Sequence, residues 1–140
     1  MTTQWTMNGE PYELGEQTFK EVYGFVYLIT CLKTGKLYVG KKLFWSQKTK
    51  TVKGKKKRTK VESDWKDYYG SNKVLAEEVQ TNGVENYKRE ILHLCKTKGE
   101  CNYLEAYEQF TRECLIGDSY YNEWIMVKVH RSHIKGLQRA

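Results

Sequence analysis

The apolar positions of this chain change their spacing several times, and each change marks an element. Val22-Tyr23-Gly24-Phe25-Val26-Tyr27-Leu28-Ile29-Thr30 is almost unbroken in aromatic and β-branched residues. Such a run, apolar on both faces, predicts a buried strand. Lys33-Thr34-Gly35-Lys36 is a turn signal, and Leu37-Tyr38-Val39-Gly40 resumes the strand pattern. Together they predict a β-hairpin with a short loop. Further on, Ser63-Asp64-Trp65 resembles a capped helical turn that Tyr68-Tyr69-Gly70 interrupts. Ser71-Asn72 offers a cap for a helix in which Val74, Leu75 and Val79 recur at helical spacing, up to Asn82-Gly83. Asn86 to Cys95 predicts a third strand. From about Cys101 to Leu115, Leu104, Tyr107, Phe110, Cys114 and Leu115 form one broad stripe and predict a longer helix that Gly117-Asp118 ends.

The order β-β-α-β-α predicts an α+β fold in which helices flank a small three-stranded antiparallel sheet. A chain of 140 residues suits one core, and no internal repeat is visible. The expected organisation is a polar leader over 1–20, packing through Trp5 and Tyr12, a domain over 21–127, and a basic tail over 128–140. A basic insertion over 46–62 interrupts the domain and reads as a mobile loop.

Composition adds an address. No apolar run approaches the ~20 residues of a membrane span, and the first twenty residues lack a signal-peptide core. A cytoplasmic protein with no membrane partner is expected, and its four cysteines should be free thiols.

Charge changes the picture more. The net charge is +7, yet residues 41–60 alone hold ten basic residues and no acid, so the rest of the chain nets −3. A positive block on a mildly acidic protein is a footprint for a polyanion. A solvated surface loop is the plain alternative. An anionic membrane fits poorly, because the block has no apolar face. Nucleic acid fits better, with Lys42, Lys55, Lys56, Lys57 and Arg58 as phosphate contacts.

The chemistry-bearing residues gather near the hairpin. With Thr34-Gly35 at its tip, Tyr27 and Tyr38 should lie roughly opposite each other on one face. Gly40, lacking a Cβ, would let a backbone or phosphate approach closely. Lys41 and Lys42 should face opposite sides of the strand. Two phenols, a glycine and a lysine at one sheet edge can orient and polarise a phosphate, although strand tyrosines more often only pack.

Phe25-Val26-Tyr27, followed after ten residues by Tyr38-Val39-Gly40, resembles the paired motif of the GIY-YIG nuclease superfamily. The context Trp65-Lys66-Asp67-Tyr68-Tyr69-Gly70-Ser71-Asn72, then Asn86 to Leu92, Glu105 with Gln109, and Tyr121-Asn122 is similar to the free-standing phage members, the Seg-type homing endonucleases. The resemblance spans about residues 23–122.

It implies metal-dependent hydrolysis of double-stranded DNA, with Mg²⁺ or Mn²⁺ as cofactor. By the same resemblance, Tyr27 helps activate the attacking water and Tyr38 positions phosphate or water. Lys41 clamps charge, and Asn122 orients the site. Glu105 matches the metal-ligating glutamate of the long helix, although Glu108 lies nearer the apolar stripe and stays a candidate. The chain departs from the family at the arginine expected about ten residues after the second tyrosine, where Lys48 stands. Arg58 and Arg89 are candidate replacements, with Tyr69 for the usual His or Tyr. A single-site domain cuts one strand per event, so a homodimer belongs among the expected partners. Two rivals stand beside the endonuclease: a DNA-binding protein that has lost cleavage, and a module whose basic loop docks an acidic partner.

Overall fold

The computed structural model describes residues 4–18 and 20–137, the side chain of Lys50 excepted. Its strands are β1 (Thr6–Met7), β2 (Glu10–Pro11), β3 (Gly24–Cys31), β4 (Leu37–Leu43), β5 (Trp45–Val52), β6 (Lys55–Glu62) and β7 (Tyr87–Cys95). Two α-helices, α1 (Lys73–Asn82) and α2 (Lys98–Thr111), complete the fold.

The fold class is α+β, as the pattern of elements predicts. The sheet, however, has five strands in the order β2-β1-β7-β3-β4 rather than three. The two extra strands come from the leader. Thr6 pairs parallel with Glu90 of β7, and Asn8-Gly9 turns the chain back into β2. Two-residue strands leave almost no periodic trace in a sequence. The side chain of Trp5 makes the leader part of the core: it is buried against Phe25 and Tyr27, and its indole N–H donates to the Trp65 carbonyl at 2.7 Å.

The expected hairpin is present. β3 is central, antiparallel to β4 on one side and β7 on the other. Phe25, Val26, Tyr27 and Ile29 are fully buried, which is why this strand reads as apolar on both faces. Against Val26-Tyr27, β7 carries one extra residue, Leu92. Such a bulge raises local twist and re-aims the neighbouring side chains. One core lies on the Phe25–Tyr27–Trp65 face, and α2 covers the other around Val26, Val39 and Cys101.

α1 begins and ends as its sequence signals. The Asn72 side chain accepts from the Leu75 N–H at 3.0 Å, and Gly83 closes the helix at φ +90°. The Ser63-Asp64 cap does not form: Ser63 Oγ donates to the Leu43 carbonyl at 2.6 Å, and Asp64 pairs with Lys42.

α2 departs from its predicted stripe. Tyr107 and Phe110 are 51% and 61% exposed, whereas Cys101, Ala106 and Gln109 are buried. The inner face is partly polar because it meets the β4 edge. Gln109 Nε2 donates to the Val39 carbonyl at 3.2 Å, and Lys41 Nζ donates to Asn102 Oδ1.

The basic insertion is also ordered backbone rather than a mobile loop. β5 and β6 form a two-stranded antiparallel ribbon, separate from the main sheet, in continuous register from Trp45↔Glu62 to Val52↔Lys55. Lys53 and Gly54 make the turn, both with positive φ (51° and 75°). That geometry matches the twist of a tight hairpin.

Candidate active site

The geometry starts from the β4 edge. From Ser119 to Asn122 the chain runs along this edge like a short strand. Leu37 N–H donates to the Ser119 carbonyl at 2.9 Å and Tyr121 N–H to the Leu37 carbonyl at 2.7 Å. Asn122 ends the run with its side chain: Oδ1 accepts from Val39 N–H at 3.0 Å, and Nδ2 donates to the Val39 carbonyl at 2.8 Å. Asn72, while capping α1, also donates to the Tyr121 carbonyl at 3.0 Å and so fixes this segment. The edge is thus closed up to Val39 and open beyond it. A cleft of about 270 Å³ lies there, lined by Tyr38, Lys41, Ser71, Glu105 and Asn122 among others.

Four predicted residues therefore meet in one place: Tyr38, Lys41, Glu105 and Asn122. Lys41 Nζ stands 3.6 Å from Glu105 Oε1. The Glu105 side chain is only 16% exposed, and burial raises its pKa above the ordinary carboxylate value although Lys41 pulls it down. Tyr38 shares a hydrogen bond of 3.1 Å with Ser71 Oγ, and burial raises its pKa too.

Tyr27 sits directly behind. It pairs with Gly40, so Tyr38 is its diagonal neighbour rather than its opposite, with ring centroids 6.1 Å apart. Its hydroxyl is buried and makes no well-aligned hydrogen bond among the described residues, the Tyr68 phenol being the group that interacts with it. Burial, then the neighbouring phenols of Tyr68 and Tyr38, hold its pKa well above the usual value. Both motif tyrosines are thus neutral phenols, able to donate a hydrogen bond and unsuited to act as phenolates.

Gly40 has another role than the expected one. A Cβ there would stand 2.6 Å from Tyr27 Cζ and 3.0 Å from Tyr38 Cε2, with the Tyr27 hydroxyl nearer still. The space is taken by the tyrosine, not kept for a phosphate.

Lys42 does face away from Lys41. Its Nζ pairs with Asp64 at 2.6 Å and lies 4.1 Å from the Tyr68 ring centroid. Tyr68, which sequence reasoning missed, packs edge-on to Tyr27 at 6.0 Å. Tyr69 points the other way, into the core. The adjacent positions could have been told apart, since neighbours on extended backbone face opposite sides.

Arg89 does not face outward. It is 1% exposed, its guanidinium 4.6 Å from the Trp5 ring and 4.1 Å from the Tyr69 ring, with Nη1 donating to the Tyr68 carbonyl at 2.8 Å. Arg58 stands on the ribbon opposite Thr49, so neither candidate arginine lines the cleft. Glu108 is engaged elsewhere, 3.2 Å from His93 Nε2 and 3.4 Å from Arg112 Nε. Lys55, Lys56, Lys57 and Arg58 are exposed on β6.

A divalent cation suits Glu105. Its carboxylate is desolvated, and the Lys41 ammonium and backbone N–H offset that burial only in part. Mg²⁺ commonly keeps several waters and takes one or two carboxylates with substrate phosphates. No group of three or more His, Cys, Asp or Glu side chains suited to a metal stands among the described residues, so protein ligands alone would not complete a coordination sphere.

No curated protein and no solved structure matches the chain significantly. A family model does, that of "Putative endonuclease segE, GIY-YIG domain", over residues 5–125. The match takes in Trp5 and the leader strands, beyond the stretch on which the motif resemblance rests. With its paired tyrosine motifs on adjacent strands of one sheet and a family match over most of its length, the chain belongs to the SegE-type GIY-YIG endonuclease family.

Proposed function

We propose that this protein is a divalent-metal-dependent endonuclease that hydrolyses phosphodiester bonds of double-stranded DNA, a homing-type nuclease of a phage or mobile element. The observation that carries this reading is the convergence of Glu105, Lys41 and Tyr38 in one cleft at the point where the β4 edge opens. A phosphate entering there meets an ammonium, a phenol and a carboxylate that favours a cation.

Each group has a distinct task. Lys41 neutralises charge on the phosphate, which is the electrostatic part of the work. Tyr38 and Ser71 hold one another and can turn a hydroxyl toward a phosphate oxygen or a water. Tyr27 carries a buried hydroxyl with no well-aligned hydrogen bond, beside the Tyr68 phenol; a buried hydroxyl left wholly unmet costs about 1–3 kcal/mol. A water or oxygen brought in with the substrate would satisfy it. Asn122 and Gln109 keep the Val39 backbone in place, and with it the two lysines that follow. Glu105 would hold the metal ion, which would supply Lewis-acid charge at the phosphate.

One observation favours the second reading, a DNA-binding protein that has lost cleavage: among the described residues, no arginine lines the cleft. Plasmid conversion with Mg²⁺ or Mn²⁺ against EDTA decides between them, with Glu105→Ala alongside. The endonuclease should nick or linearise DNA only with metal, and Glu105→Ala should bind DNA and leave it intact. Binding without conversion in either metal would establish the second reading instead.

A further inference from the structure

The β5–β6 ribbon leaves the body immediately after the active-site strand, with only Phe44 between β4 and β5. Its base is fixed. Trp45 Nε1 donates to the Val22 carbonyl at 2.8 Å, and Ser63 N–H donates to the Phe44 carbonyl at 2.7 Å. Side chains alternate across a strand, so the register sorts the ribbon into two faces. One face holds Gln47 opposite Lys60, Thr49 opposite Arg58 and Thr51 opposite Lys56. The other includes Lys48 opposite Thr59, and Lys55 and Lys57 along β6.

The faces differ in chemistry. Beside Lys56 and Lys60, the first carries amide, hydroxyl and guanidinium groups, which pair with base edges: Gln with adenine, Arg with guanine, Thr through its methyl with thymine. The second is dominated by lysine, which contacts phosphate as a point charge. At the ribbon's base the first face reaches the catalytic side, next to Ser46 of the other face. Gln47 and Lys60 line a cleft of about 460 Å³ together with Lys41, Lys42 and Tyr23.

Size fits as well. Eight residues at about 3.3 Å each give a ribbon of roughly 26 Å. That is about eight base pairs of B-form DNA at 3.4 Å each. The major groove of B-DNA admits a two-stranded ribbon, and the minor groove is about half as wide. Ribbon and cleft thus reach bases and a phosphate within about one helical turn of each other.

We infer that the β5–β6 ribbon enters the major groove of duplex DNA and reads bases through its Gln47–Thr49–Thr51–Arg58 face, while the lysines of the opposite face hold the backbone. The inference rests on the DNA-cleavage reading for its substrate class, and its test is a binding measurement that needs no cleavage.

The probe is a randomised duplex DNA pool, selected by the full-length protein in EDTA and sequenced. Wild type should enrich a short motif. Arg58→Lys keeps the charge and loses the two-pronged donor, so affinity for the enriched site should fall about 5- to 150-fold, the equivalent of the 1–3 kcal/mol of one bidentate contact. Affinity for unrelated DNA should change by less than about twofold. Replacing Lys48, Lys55 and Lys57 with Ser should instead weaken binding to every sequence and flatten the slope of log K against log salt by about 2–3 units. Duplex RNA of the enriched sequence should compete poorly, because its major groove is too narrow for side-chain reading.

The inference is overturned if wild type enriches no motif, if Arg58→Lys enriches the same motif with the same affinity, or if its loss is uniform over all DNA. These outcomes are separable from the fate of the nuclease reading. A protein that cuts no DNA yet loses its motif through Arg58→Lys sinks the nuclease reading and keeps this one. A protein that cuts with metal and shows no motif does the reverse.

Discussion

The hydroxyl of Tyr27 lies over the α-carbon of Gly40 on the neighbouring strand, in the space a side chain would occupy. This contact, and not an approaching ligand, makes glycine necessary there. Gly40→Ala should push the Tyr27 and Tyr38 rings apart. A cost of about 1–3 kcal/mol is the usual scale for overpacking, and cleavage should drop at least tenfold. Tyr27→Phe removes the nearest atom together with a buried hydroxyl that makes no well-aligned hydrogen bond. Its melting temperature should hold or rise, while its rate falls on the order of 10², the scale of acid–base or hydrogen-bonding help. In the double variant the stability costs should be less than additive, with a coupling of about 0.5–3 kcal/mol. Strict additivity in urea melts would show that the two residues do not compete for this space.

If Glu105 holds the metal as proposed, it sets catalysis against stability. Burial raises its pKa in the folded protein, so the folded state holds the proton more tightly than the unfolded chain. Its favourable contribution is therefore complete below the unfolded carboxylate pKa and is lost as pH rises through the folded value. Glu105→Gln cannot titrate. It should melt higher than wild type at neutral pH, converge with it in acid, and lose cleavage throughout. Glu108→Gln should behave oppositely, because Glu108 is bonded to His93 and Arg112. It should lose stability and keep its rate per folded molecule. Loss of cleavage in Glu108→Gln with retention in Glu105→Gln would reverse the assignment of the metal ligand.

The central hairpin was legible because β3 is buried on both faces and carries little but aromatic and β-branched residues. The caps of α1 were legible because Asn72 and Gly83 signal locally, whereas α2 starts at Lys98 behind Thr97 and ends at Thr111, ahead of the predicted Cys101 to Leu115. Three features were not. The leader strands are two residues long, too short for any period. The ribbon has no core face, so its alternation is between lysine and threonine rather than apolar and polar, and Lys-Gly is a weak turn signal. On α2 the apolar residues Tyr107 and Phe110 lie outside, while Asn102, Glu105 and Gln109 turn inward to β4. Local rules fail there because that face serves the cleft. At the site itself, the motif spacing led to Tyr38, Lys41, Glu105 and Asn122. Spacing pointed to Lys48 for the arginine, and Arg89, offered as a replacement, is buried, because sequence does not say which face of β7 turns inward.

Arg89 is packed in the core. Its guanidinium lies between the Trp5 and Tyr69 rings and donates to the Tyr68 carbonyl. A lysine has no planar group to stack there. Arg89→Lys should lose at least the ~1.5–3 kcal/mol of one charged hydrogen bond, read from the urea midpoint. Single-turnover cleavage per folded molecule should stay within a few-fold of wild type. A variant that melts like wild type and cleaves a thousandfold more slowly would instead make Arg89 the phosphate clamp.

Asn122 offers a sharper test, because one amide serves both polar atoms of Val39. Its Oδ1 accepts from the Val39 N–H and its Nδ2 donates to the Val39 carbonyl, a carbonyl that Gln109 also reaches. Asn122→Ala leaves the N–H without its partner, at a cost of about 1–3 kcal/mol. Asn122→Asp keeps that acceptor but, when ionised, sets a second carboxylate oxygen against the carbonyl. Protonation of the introduced carboxyl restores the donor. The folded variant should therefore hold that carboxyl's pKa above its unfolded value, and the stability it contributes should be full in acid and lost as pH rises through the folded pKa. The melting deficit of Asn122→Asp relative to wild type should be largest at neutral pH and shrink on acidification, whereas that of Asn122→Ala should stay constant. Cleavage should fall in both, since the Val39 backbone leads directly to Gly40 and Lys41. Parallel melting curves for the two variants across pH would show that the side chain does not pair with the strand in both directions.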